Sequence, residues 1–72
     1  MATEVLIDTE YITLGQMLKI ENVISSGGQA KWFLYEVEVL VNGEHDERRG
    51  RKLYPADTVS IPDFGEFVIR AK

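Results

Sequence analysis

The apolar spacing changes period at Val37, and that change limits what the chain can form. Ala30, Phe33, Leu34 and Val37 recur at i, i+3, i+4 and i+7, the stripe of an amphipathic helix. Val37, Val39 and Val41 then alternate with Glu38, Leu40 and Asn42, the period of a strand, and Asn42-Gly43 follows as a hairpin turn signal. A helix that runs straight into strands in a chain of 72 residues points to one small α+β domain. A chain this short buries only about 60% of the surface it would expose unfolded, so its core is thin and leaves no room for a walled substrate cavity.

Two capping boxes mark helix starts. Thr13-Leu14-Gly15-Gln16 has Ile12 before the cap and Met17 at the fourth helical position, a staple pair, and predicts a first helix over 14–21. Ser26-Gly27-Gly28-Gln29 predicts a second over 27–36, with Val23 and Ile24 of the intervening turn reaching the core. A strand is expected over 4–11, further short strands at 37–41, 53–54 and 58–61, and a last one over 66–70. The expected fold is β-α-α-β-β-β, two helices packed on one face of a small, mostly antiparallel sheet. One domain spans 1–72.

Cysteine is absent, which excludes a disulfide framework and thiolate metal sites. The start has no basic segment and the longest apolar runs are three or four residues, so neither a signal peptide nor a membrane span is expected, and a cytoplasmic location is. Catalysis finds no support: His45 has no nucleophile near it in sequence, and no phosphate-cradling loop with a following Lys-Ser/Thr is present. Glu44-His45-Asp46-Glu47 lacks a second imidazole or thiolate, so no metal site, cofactor or small-molecule substrate is expected.

The formal net charge is −4, which taken alone argues against a nucleic-acid partner, but the charge is uneven. Residues 1–47 hold two cations against nine acids, whereas Arg48, Arg49, Arg51 and Lys52 crowd five positions around Gly50. Screening acts over about 8 Å at physiological salt, so a basic cluster keeps its near field on an acidic body. Guanidinium groups fork onto phosphate. The alternative is a solvated loop neutralised by Glu44, Asp46 and Glu47. On the second helix, Gly28, Lys31, Trp32 and Tyr35 lie opposite the apolar stripe. The aromatics suit stacking on bases and Lys31 suits phosphate, while the start of the helix offers free N–H groups. The competing reading packs Trp32 against the amino-terminal strand.

Leu14-Gly15-Gln16-Met17-Leu18-Lys19, Ser26-Gly27-Gly28-Gln29-Ala30-Lys31, Val39-Leu40-Val41-Asn42-Gly43-Glu44, Arg48-Arg49-Gly50-Arg51-Lys52-Leu53 and Asp57-Thr58-Val59-Ser60-Ile61, in this order, resemble the RNA-binding domain named after ribosomal protein S-four. The similarity is greatest to its small stand-alone bacterial YaaA-like branch and covers about 12–61, with flanking strands 4–11 and 66–70. Where many members carry Gly-Asp before the last motif strand, this chain has Ala56-Asp57. The resemblance implies a non-enzymatic module for structured RNA: ribosomal, transfer or another folded RNA. It implies contacts from Ser26, Gly28, Gln29 and Lys31 at the start of the second helix, and from Arg48, Arg49, Arg51 and Lys52 in the loop. Trp32 joins these as a stacking candidate. The alternative is a small adaptor that keeps the fold and docks on a partner protein through Lys31, Trp32 and Tyr35.

Overall fold

The computed structural model describes residues 2–72. Strand β1 (Thr3–Ile7) leads through a bend to β2 (Ile12–Thr13), which runs into α1 (Leu14–Ile20); α2 (Gly27–Glu36) follows, then β3 (Leu40–Val41), β4 (Glu44–His45), β5 (Lys52–Leu53), β6 (Thr58–Ile61) and β7 (Gly65–Ala71). Five strands form one sheet in the order β1-β7-β6-β3-β4, and β2 with β5 form a separate ribbon. Every pairing is antiparallel except β1 with β7, which joins the two ends of the chain.

Alternation divides the large sheet cleanly. Val5, Ile7, Val59, Ile61, Phe67 and Ile69 point into the core, while Glu4, Leu6, Thr58, Glu66 and Arg70 stay exposed on the other face. Leu14, Met17 and Leu18 of α1 and Ala30 and Leu34 of α2 enter the same buried cluster, so both helices cover one face of the sheet. The α+β expectation holds.

The first capping box is complete: Thr13 N–H donates to Gln16 Oε1 at 2.8 Å, and Gln16 N–H donates to Thr13 Oγ1 at 3.3 Å. Ile12 and Met17 are both buried, as a staple requires. The helix ends one residue before the expected Glu21. Val23 N–H bonds the Leu18 carbonyl and Asn22 N–H the Lys19 carbonyl, a Schellman closure with Asn22 at φ 59. At the second box, Gln29 Oε1 accepts from Ser26 N–H at 3.2 Å and from Ser25 N–H at 2.7 Å. The helix covers the expected 27–36, but its stripe is graded: Ala30 and Leu34 are fully buried, whereas Phe33 and Val37 are only partly so.

Two expected strands are shorter. The strand over 4–11 breaks after Ile7, where Asp8, Thr9 and Glu10 bend outward and Thr9 Oγ1 donates to the Tyr11 carbonyl at 2.9 Å. The strand over 37–41 shrinks to Leu40–Val41, because Val39 N–H turns back onto the Val37 carbonyl at 2.9 Å as the chain leaves α2. Asn42 and Gly43, at φ 52 and 86, make the two-residue hairpin turn between β3 and β4. Glu44 and His45 are the return strand.

Truncating Leu34, which is wholly buried, is expected to cost about 2–5 kcal/mol, more than Phe33→Ala, in denaturant unfolding. Tyr54-Pro55-Ala56-Asp57 is a type II turn closed by Asp57 N–H on the Tyr54 carbonyl at 2.9 Å, and it holds exposed Ala56 at φ 80, a region that favours glycine. Ala56→Gly is expected to stabilise the domain by about 0.5–1 kcal/mol, the relieved left-handed strain less the added chain entropy. That corresponds to a rise in Tm of about 2–8 °C at this size.

Candidate functional site

The start of α1 leaves backbone N–H groups without intrahelical partners, and the basic loop supplies them. Leu14 N–H donates to the Arg51 carbonyl and Gly15 N–H to the Arg49 carbonyl, both at 2.8 Å. These bonds extend the β2–β5 ladder, in which Ile12 faces Leu53 and Thr13 faces Lys52. The approach is close enough that a Cβ on Gly15 would stand 3.2 Å from the Arg49 carbonyl oxygen. The loop is therefore fastened to α1 by its main chain.

Asp46 holds the loop from the other side. Its side chain is 6% exposed, and one carboxylate receives Arg48 Nε at 3.1 Å, Arg48 Nη2 at 2.9 Å, Arg48 N–H at 2.9 Å and Arg51 Nη1 at 2.8 Å. The hydrogen bonds from Arg48 come first among the causes that keep this carboxyl well below the usual carboxylate range, against the opposing effect of burial. The same pairing raises the pKa of Arg48. Only Asp46 of the three acids considered from the sequence neutralises the loop; Glu44 and Glu47 are exposed and make no ion pair among the described residues.

The four loop cations line two adjoining grooves. Gly50 stands between two grooves and lines both. On one side Arg49 meets the helix starts, in a groove lined by Gly15, Lys19, Gly27 and Ala30. On the other, Arg48, Arg51 and Lys52 line a groove with Tyr54 and Asp57. Lys31 lies one turn beyond Gly27 on the same face of α2, flanking the first of these grooves. Ser26 is the N-cap at its edge. Gly28, Gln29 and Trp32 line a third groove instead, formed with Phe33 and the turn at 22–25. Trp32 is 64% exposed, so it does not pack under the amino-terminal strand; that strand pairs with β7. Tyr35 is likewise exposed.

Lys19 and Gly15 escaped sequence reasoning. Lys19 is four residues after Gly15 and shares its helix face, but only the docked loop turns that face into a groove wall. Tyr11 and Tyr54 were missed as well, although they frame the ribbon beside Lys52. Among the described residues no helix is long and apolar enough to cross a membrane.

A depressed carboxylate pKa stabilises the fold fully above the unfolded value, roughly 3.9, and this contribution fades as pH falls through the folded value. Asp46→Asn is therefore expected to lower stability by about 1–3 kcal/mol near neutrality. It should also flatten the loss of Tm between about pH 4 and pH 2 relative to the unaltered chain. Parallel Tm–pH curves for the two proteins would refute the role given to Asp46.

The S4 domain family profile matches residues 5–70, nearly the whole chain. A curated relative from Bacillus subtilis (strain 168), named "Probable ribosome maturation protein RlbA", is 64% identical over 69 residues, covering 96% of this chain and 97% of its own. With a family match of that extent over a fold of two helices and a mostly antiparallel sheet, the chain belongs to the S4 domain family.

Proposed function

We propose that the protein is a non-catalytic module that binds structured RNA at the junction of its two helix starts and the basic loop. The observation that carries this reading is the groove in which Arg49, Lys19 and the start of α2 at Gly27 converge. Arg49 and Lys19 are exposed and make no ion pair among the described residues, and no acid lines the groove. Two cations beside the first N–H groups of a ten-residue helix suit the oxygens of a phosphate backbone. Ser26 and Lys31 flank that point, and Gly28 and Gln29 carry the contact surface into the neighbouring groove. Arg48, Arg51 and Lys52 extend the positive surface over the ridge, and Trp32 offers a ring at its far margin. The name of the Bacillus relative favours ribosomal RNA, or an RNA met during ribosome maturation, as the target class. A cytoplasmic location goes with that reading.

The acidic total does not oppose it. At physiological salt, acids more than about 8 Å from the groove are largely screened from a bound phosphate. Arg49 is the informative position, since Arg51 is held by Asp46 and its loss would disturb the loop itself. Arg49→Gln should leave stability within about 0.5 kcal/mol, as an exposed charge free of partners does. It should weaken binding to a mixed-sequence hairpin RNA, and flatten the slope of log affinity against log salt by about 0.7–0.9, the loss of one phosphate contact. Titrations at several salt concentrations provide both numbers. Unchanged affinity and slope would refute the RNA reading and favour docking on a protein through Lys31, Trp32 and Tyr35.

A further inference from the structure

The β2–β5 ribbon has two faces, and the pairing register assigns them. Ile12 and Leu53 are partners and both are buried. By alternation, Tyr11 and Thr13 of one strand segment and Lys52 and Tyr54 of the other point outward together. The outward set is not a scatter of polar residues. The Tyr11 and Tyr54 rings lie 5.6 Å apart at 48°, and Lys52 Nζ stands 5.0 Å from the centre of the Tyr11 ring. Tyr54 is 42% exposed and lines the groove that Lys52, Arg51 and Arg48 share with it.

We propose that this groove is a second nucleotide-binding subsite, which takes an unpaired nucleotide with its base stacked on Tyr54 and its phosphate on Lys52. The proposal rests on the RNA reading of the neighbouring groove and extends it across the Gly50 ridge. The chemistry favours a nucleotide over a protein segment. Aromatic rings accept a base of any sequence, and the cations beside them match the charge that every nucleotide carries. The carboxylate in the groove, Asp57, is already engaged: its Oδ1 accepts from Asn42 Nδ2 at 3.1 Å and its Oδ2 from Tyr54 N–H at 2.8 Å. Those two bonds also fix the backbone that carries Tyr54, so the ring is presented from an ordered turn. A duplex hides its base faces, so the subsite selects RNA in which a helix adjoins an unpaired stretch.

The experiment uses two probes, a blunt mixed-sequence hairpin RNA whose strands are joined by a non-nucleotide polyethylene glycol linker, so that it has no unpaired base, and the same hairpin with an unpaired adenosine extension. The unaltered protein should bind the extended hairpin more tightly. Tyr54→Ala should abolish that gain, a loss of about fivefold to a hundredfold, and leave the blunt hairpin unaffected. Tyr54→Phe, which keeps the ring, should retain the gain. Arg49→Gln should weaken both probes alike, which separates this subsite from the groove at the helix starts. As a check that needs no variant, ultraviolet crosslinking of an extension carrying 5-bromouridine should map to Tyr11 or Tyr54. No gain from the extension, a gain that survives Tyr54→Ala, or crosslinks confined to other residues would overturn the subsite while leaving binding of the blunt hairpin intact. Failure of both hairpins to bind would overturn the RNA reading and the subsite together.

Discussion

Two hydrogen bonds of 2.8 Å, from the first two amides of α1 to the carbonyls of Arg51 and Arg49, set the positions on which the surface chemistry depends. A helix start needs acceptors, and a loop crowded with cations would otherwise be driven apart by its own charge. Each solves the other's problem. Because the attachment is made by main chain, the loop side chains remain available for something else. Gly15 eases it, since a Cβ there would press on the Arg49 carbonyl oxygen at 3.2 Å. The β2–β5 ladder leads directly into these bonds, so the ribbon, the start of α1 and the loop behave as one unit.

Asp46 then decides which cations are free. It receives Arg48 and Arg51, and burial in a thin domain is tolerable for its charge because four donors surround it. Arg48 is 72% exposed, so water and salt weaken its half of the arrangement, while Arg51, at 31%, is the better-held partner. What remains uncommitted is Arg49 on one side of Gly50 and Lys52 on the other, the latter resting over the Tyr11 ring. An acidic chain thus concentrates a few unneutralised cations at one end of the structure.

Features governed by local chemistry could be read in advance. The Thr13/Gln16 and Ser26/Gln29 boxes and the Asn42-Gly43 turn each follow from bonds or φ values within a few residues. The change of period at Val37 placed α2 and its exposed face correctly, including Trp32. What the period could not supply was the side on which that face would lie relative to the loop: Gly28 and Trp32 line one groove, Gly27 another. Asp46 was concealed among Glu44 and Glu47, since which of three neighbouring acids turns inward depends on the β3–β4 hairpin register and on Asp46 N–H bonding the Val39 carbonyl at 3.1 Å. Lys19 belonged to the first-helix motif of the resemblance, but nothing in its spacing marked it as a contact, because a lone lysine on a short helix becomes a groove wall only when a loop thirty residues later docks against it.

A domain of this size has no interior to spare, so its recognition surface has to be made where elements meet. The grooves on either side of Gly50 share a wall, the loop, yet draw their other walls from different residues: the two helices with Thr13 of β2 on one side, Lys52 of β5 and the Tyr54–Asp57 turn on the other. Perturbing the shared wall, through Asp46 or through the bonds to α1, must therefore alter both grooves together. A side chain such as Arg49 or Tyr54 alters only its own. Within a single ligand-binding surface, that separation lets the charge contacts and the aromatic contacts change independently while the ladder that positions them stays fixed.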